Sequence, residues 1–154
     1  MRRNENEIRE RSEIDSVIRR SRVCRLGLCD QGQPYIVPLC FGYDGKALYF
    51  HCSKEGRKLD ILRRNNKVCF EFDIAERMVE AAQGCDWGIR YQSAVGFGVA
   101  HMVEDLREKQ QALALLMAQY SARCFTFSPE NVQRTAIIRI QIESLTGKQS
   151  KKSE

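Results

Sequence analysis

Apolar and polar positions alternate with two different periods along this chain. From Ile8 to Arg20 the apolar residues Ile8, Ile14, Val17 and Ile18 recur near helical spacing, which predicts a short amphipathic helix over 8–20. Strand-like runs follow at 22–29 and 35–41, separated by the turn sequence Asp30-Gln31-Gly32-Gln33. Asp44-Gly45 is a strong hairpin signal, because both turn positions must tolerate positive φ, and 47–51 makes the return strand. These three strands form an antiparallel meander. Residues 53–65 change period: Leu59 and Leu62 stand three apart among polar residues and predict a helix of two to three turns. A fourth strand spans 68–74. Residues 75–90, around Cys85-Asp86-Trp87-Gly88, carry no clear period and read as a loop with some helical content.

The run 91–103 alternates strictly. Tyr91, Ser93, Val95, Phe97, Val99, His101 and Val103 lie on one face, and the small residues Ala94, Gly96, Gly98 and Ala100 on the other. Asp105 with Glu108 reads as a capping box that opens a helix whose buried face is Leu106, Leu113, Leu116, Met117 and Tyr120. A last strand runs 136–144, with Ile138, Ile140 and Ile142 opposite Arg139, Gln141 and Glu143. The charged tail 148–154 is expected to be disordered. About six strands in hairpin order, with two or three helices at the periphery, predict a mainly β fold: a small antiparallel barrel, one domain over 1–154.

Composition narrows the class. The chain has 154 residues, 43% hydrophobic and 29% charged, which is too apolar for intrinsic disorder. No apolar run approaches the ~20 residues of a membrane span, and the start Met1-Arg2-Arg3-Asn4-Glu5 is polar with no apolar segment behind it. A cytoplasmic protein without a membrane partner is expected. Seven cysteines stand at 24, 29, 40, 52, 69, 85 and 124 without a C-x-x-C pair, and only His51 and His101 could supplement them. No metal site is expected, and the thiols read as reduced and structural.

The net charge of +5 is uneven: residues 54–67 carry six basic groups against two acidic ones. A nucleic-acid reader would more often spread its excess over the whole domain, with aromatics interleaved. A local anion site explains the cluster better. Within it, His51-Cys52-Ser53-Lys54-Glu55-Gly56-Arg57-Lys58 is the most informative stretch. A helix beginning near Gly56 would place Arg57 and Lys58 in its first turn, where the helix dipole disfavours cations unless an anion binds there. Ser53, free N–H groups and these cations would form a phosphate cradle. The alternative is a solvated helix face with incidental charges.

Other features leave two readings each. Pro38 inside Ile36-Val37-Pro38-Leu39 implies an edge, a bulge or an interrupted pairing, which either frees backbone groups for a planar ligand or is an ordinary edge proline. The small stripe 94–100 admits a ligand, a second subunit or the chain's own helix. His51 ends a strand just before the phosphate turn and either lines the pocket or is structural, whereas His101 reads as structural. Trp87 and Cys85 cover a ligand or plug the barrel mouth. No serine–histidine–acid order, paired carboxylates, Walker loop or Rossmann glycine fingerprint is present, so hydrolysis and nucleoside triphosphate chemistry lack support.

Taken in order, Pro34-Tyr35-Ile36-Val37-Pro38-Leu39-Cys40-Phe41-Gly42-Tyr43, Leu48-Tyr49-Phe50-His51 and Glu55-Gly56-Arg57-Lys58-Leu59-Asp60 resemble the nitroimidazole-resistance-type branch of the pyridoxamine 5′-phosphate oxidase-like flavoproteins. Tyr91-Gln92-Ser93-Ala94-Val95-Gly96-Phe97-Gly98 and Leu145-Thr146-Gly147-Lys148 extend the likeness over roughly 8–148. The resemblance implies a six-stranded antiparallel split β-barrel that forms a homodimer, with FMN in two symmetric clefts between subunits. Val37, Pro38 and Leu39 would then run along the isoalloxazine edge. His51, Cys52 and Ser53 would lie beside the flavin and ribityl chain, Arg57 and Lys58 would hold the phosphate, and Ser93 would reach the cofactor from its own strand or from the partner subunit. Cys52 departs from the small residue that relatives commonly carry there. The implied function is FMN-dependent electron or hydride transfer between small-molecule donors and acceptors, nitroaromatics among them. His51 is the one candidate proton donor. The alternatives are a non-catalytic flavin-binding module and a haem-binding module.

Overall fold

The computed structural model describes residues 4–150. In chain order the elements are β1 (Glu7–Ile8), α1 (Arg11–Arg20), β2 (Cys24–Asp30), β3 (Gln33–Leu39), β4 (Gly42–Tyr43), β5 (Ala47–Cys52), α2 (Arg57–Arg64), β6 (Lys67–Val79), β7 (Gly88–Val103), α3 (Leu106–Tyr120), α4 (Pro129–Arg134) and β8 (Ala136–Gln149). The strands pair antiparallel in the order β3-β2-β6-β7-β8-β5-β4, and β1 adds to β8. The six long strands are those expected, but the first three are not the expected meander, because β5 pairs with β8 and β4 and not with β3; β1 and β4, two residues each, extend the sheet to eight. Its two ends meet through the chain itself, because β3 passes to β4 across only Cys40 and Phe41. The sheet therefore curls on itself but leaves a seam between β3 and β5, which are not paired.

Inside the curl, Phe41, Phe50, Phe70, Phe72, Ile138 and Ile140 are fully buried. Phe41 and Phe72 pack with ring centroids 4.8 Å apart and tilted at 59°. Helix α1 lays Ile14, Val17 and Ile18 on this core. The expected helix starts three residues late, because Ile8 enters β1 and pairs with Gly147. On the other side of β5, α3 covers a smaller cluster of Ala47, Tyr49, Val103, Ala112 and Ile137. Asp105 caps α3 as predicted, accepting from the Glu108 N–H at 2.9 Å. The buried face of that helix differs from the expected one: Lys109, Ala112 and Leu116 point inward, whereas Leu106 and Tyr120 are exposed.

Three further differences have physical causes, and one open reading is resolved. Only 80–87 of the expected loop 75–90 connects strands, and it holds the expected helical turn; the flanks are strand. β6 and β7 run on as a hairpin through a bulge between Ala75 and Arg77, closed by a single 3₁₀ turn at Gly84–Asp86. Most of β6 beyond Ile74 is exposed, so no burial period marks it. β8 likewise continues to Gln149 by pairing with β7, so Lys148 and Gln149 belong to the sheet, and Ser150 exchanges hydrogen bonds with Tyr91; 151–154 of the expected tail lie outside the described residues. The small stripe of β7 faces the chain's own core, where α1 also packs on β7. A Cβ on Gly96 would stand 2.3 Å from Phe70, and one on Gly98 2.3 Å from the Gln141 carbonyl oxygen. Finally, α4 is absent from the sequence-based expectation, although Ser128 at its N-cap and Pro129 at its first position are a standard start signal. Among the described residues no helix is long and apolar enough to cross a membrane.

Candidate functional site

The seam between the sheet's two ends opens into a cleft of about 360 Å³, and the residues that line it come from three places. β3 contributes Tyr35, Val37, Pro38 and Leu39; the end of β5 contributes Cys52 and Ser53; the start of α2 contributes Glu55 to Leu59. β3 ends the sheet and pairs only with β2, so it is an edge strand, as Pro38 implies. Strand alternation decides which of its side chains face the cleft. Tyr35, Val37 and Leu39 pack half-buried against the core, while Ile36 on the opposite face is 65% exposed.

The turn into α2 depends on one residue. Gly56 has φ 127° and ψ 160°, a conformation essentially confined to glycine, and it occupies the N-cap without offering a side-chain cap. Its carbonyl accepts from the N–H groups of Leu59 (2.9 Å) and Asp60 (3.2 Å). The N–H groups of Arg57 and Lys58, ahead of these two, have no intrahelical acceptor and stand at the positive end of the helix dipole. Arg57 and Lys58 add two cations at that end, and the Arg57 guanidinium lies 4.5 Å from the centroid of the Tyr35 ring. The resulting rim is strongly attractive to an anion.

Cys52 sits half-buried at the floor of this cleft. Burial pushes its pKa above the ordinary thiol value, and the nearby Lys58 ammonium only partly opposes that shift. The side chain is therefore a protonated, small, weakly polar surface at neutral pH and not a thiolate. All seven cysteines are free, with Cys24 fully buried and Cys40, Cys85 and Cys124 exposed. Among the described residues no cluster of His, Cys, Asp or Glu has the makings of a metal site.

Seven of the nine residues expected at the site meet here: Val37, Pro38, Leu39, Cys52, Ser53, Arg57 and Lys58. His51 and Ser93 do not line this cleft. His51 is exposed and, by alternation, leaves β5 on the face opposite Cys52, beside its register partner Ile137. Ser93 lies on β7, half-buried, with its hydroxyl 3.5 Å from the Lys148 carbonyl oxygen. Tyr35 joins the site from outside the expected set. The period-2 relation Tyr35, Val37, Leu39 is the signal in the sequence that points to it. His101 and Trp87 are both exposed and away from this lining, so neither packs as a core residue.

The outer face of the sheet carries a second notable feature. The registers place Ile36, Gly27, Cys69 and Phe97 in one row across four strands, with Val95 and Val99 beside it on β7. Ile36 and Phe97 are 65% and 56% exposed, so this row is an open apolar band.

Known proteins share this fold. A family model described as pyridoxamine 5′-phosphate oxidase matches residues 10–149. A solved structure from Bacteroides thetaiotaomicron, provisionally named for 5-nitroimidazole antibiotic resistance, is 34% identical with a TM-score of 0.84, covering 92% of this chain and 85% of that one. An FAD and heme binding protein from Mycobacterium smegmatis shares the fold at 20% identity and a TM-score of 0.85, covering 95% of this chain and 74% of that one. An uncharacterized protein of Rhizobium meliloti (strain 1021) is 38% identical over 69 residues, which span 45% of this chain and 44% of that protein.

Proposed function

The chain belongs to the pyridoxamine 5′-phosphate oxidase family, and from that premise we propose that its seam cleft binds FMN and that the protein is an FMN-dependent oxidoreductase acting on a small organic acceptor. The observation that carries this reading is the meeting, in one cleft, of an edge strand, Cys52–Ser53 and a helix start with two cations in its first turn.

The donor set fits the cofactor at both ends. The uncapped first turn after Gly56, with Ser53, Arg57 and Lys58, offers N–H, hydroxyl and cationic donors suited to a phosphate dianion. The edge strand through Val37, Pro38 and Leu39 offers apolar side chains and backbone groups outside the β2 ladder, suited to the mixed edge of a flavin ring. Bound FMN would supply the two-electron chemistry, while this chain binds and orients it and shapes access to it. Cys52 is a neutral, small contact there. His51, on the opposite face of β5, lies outside this lining, and His51→Asn should leave FMN affinity unchanged.

The outer apolar band supports a homodimer. Ser93 shares the outward face of β7 with Val95 and Phe97, so a second copy seated on that band would cover it. In that arrangement Ser93 would serve the site between subunits.

The test is the absorbance spectrum of the purified chain, followed by FMN titration. A flavin spectrum, and a fall of about tenfold or more in FMN affinity for Arg57→Ala and for Lys58→Ala, are expected from the loss of one charge-assisted hydrogen bond each. A Soret band in place of the flavin spectrum, or unchanged affinity in both variants, would overturn the assignment. Oxidation of NAD(P)H with a nitroaromatic or quinone acceptor separates an enzyme from a module that only binds flavin.

A further inference from the structure

A second cavity, of about 310 Å³, shares Leu59 as a wall with the seam cleft but opens on different residues. Lys54 and Arg63 line it from the α2 side, Met102 to Glu104 from the end of β7, and Lys109 from α3. Lys109 is the unusual member, being only 7% exposed. Its ammonium donates to the Thr135 carbonyl oxygen at 3.2 Å, and among the described residues no carboxylate lies within ion-pair distance of it. An ammonium carries three donors, and a buried charge is costly unless it is paired. Here one donor is used and a cavity adjoins the rest.

The remaining charges around the cavity do not neutralise it. Arg63 is held at one nitrogen by Asp60, at 2.9 Å, with both side chains more than half exposed. Glu104 is the one carboxylate in the lining, and it is exposed. Three cations thus face one acid, while Met102 and Val103 supply an apolar wall. We infer that this cavity binds a small organic oxyanion, a carboxylate or a phosphate ester. Its anionic group would sit at Lys109 with Lys54 and Arg63, and its body against Met102 and Val103. This site is independent of the flavin reading, because the first-turn anion site of α2 belongs to the other cleft.

Amide-resolved NMR titration of the full chain tests it, with FMN present in excess so that the seam cleft is filled. Inorganic phosphate and benzoate are the two probes, and whichever binds tells ester from carboxylate. Saturable shifts centred on Val103 and Lys109 are expected, weakened about tenfold or more by Lys109→Met. The pair Lys54→Gln and Arg63→Gln should also weaken binding, and it decides the question should Lys109→Met not fold. Arg57→Ala with Lys58→Ala should leave this binding intact even if FMN affinity falls, so the two readings fail separately. Three results would overturn the inference: no saturable shift with either probe, shifts centred on residues 53–58, or unchanged affinity in the folded Lys109 variant and the Lys54/Arg63 pair.

Discussion

Gly56→Ala isolates the turn on which the proposed cofactor site depends. A Cβ at this position would meet no atom within 4 Å, so the substitution creates no clash. Its cost is therefore backbone strain alone, at φ 127° and ψ 160°. That region costs a non-glycine residue about 1–3 kcal/mol. For a domain of this size 1 kcal/mol shifts Tm by about 2–4 °C, so a fall of about 2–12 °C is expected in thermal denaturation. Gly84→Ala is the matched control, since its Cβ also meets nothing and its φ lies outside the left-handed region; it should leave Tm nearly unchanged. The functional half of the prediction uses mass action. FMN at a hundred times its Kd should stabilise the wild type by about 2.7 kcal/mol. At the same FMN concentration the Gly56 variant should gain less, because relaxing the turn redirects the first-turn N–H groups. A Tm equal to wild type would refute the strain argument. A lowered Tm with the full FMN-dependent gain would refute the cradle while leaving the strain intact.

Other perturbations read different parts of the molecule. Gly98→Ala places a Cβ 2.3 Å from the Gln141 carbonyl oxygen, so β7 and β8 must part; a loss of about 1–3 kcal/mol or more is expected from urea unfolding. Phe97→Glu on the outer band should shift the chain toward monomer in light scattering at micromolar concentration, and an unchanged mass would remove that band as the self-association surface. Burial alone would raise the Asp44 pKa, but the N–H groups of Lys46 and Ala47 and the Tyr49 hydroxyl hold it below its ordinary value of 3.8. A depressed folded pKa means the unfolded chain binds the proton more tightly, so stability is full above pH ~4 and falls as pH drops below it; Asp44→Asn should flatten that acid limb of the denaturation profile. Asp105→Ala removes the cap on Glu108 and should cost about 1 kcal/mol by thermal melt.

Where burial follows one period, the chain shows its fold in its residues. Ile14, Val17 and Ile18 and the Asp105 cap are local devices that form where their residues suggest; the Asp44-Gly45 turn also forms, but with only Gly45 at positive φ, the Asp44 carboxylate instead accepting from the Lys46 and Ala47 N–H groups. The β6–β7 extension is invisible in the sequence because most of its residues are exposed, and the bulge after Ala75 breaks what alternation remains. The same logic applies to β8, where a register shift between Phe97 and Gly98 interrupts the period before Leu145. Lys109 cannot be placed inward from sequence, because a charged residue carries no apolar signal and its burial is decided by α3 crossing β5. At the site, Arg57 and Lys58 are legible from turn chemistry and charge and Val37 and Leu39 only through the family resemblance, whereas the side-chain direction of His51 requires counting from Phe50 and Cys52 across the strand.

The site lies at the seam for a reason that backbone accounting supplies. Buried or half-buried peptide groups need partners, and two elements that leave such groups unpaired meet at this cleft: the free edge of β3 and the first turn of α2. A closed barrel would have paired the edge with β5, and a serine or aspartate at the N-cap would have satisfied the turn. Here neither happens. Pro38 prevents one position from donating at all, and Gly56 offers no side chain. The chain brings both deficits within one cleft by curling the sheet until its ends nearly meet, and places two cations beside the turn where they oppose the helix dipole. A ligand with a hydrogen-bonding planar end and a doubly charged end would satisfy both at once. It would also relieve the repulsion between Arg57, Lys58 and the helix start. On this account Arg57→Ala and Lys58→Ala should each leave the ligand-free protein as stable as wild type or slightly more so. FMN binding should reverse that order. A loss of ligand-free stability in both variants would show that the cations serve the fold and not an anion.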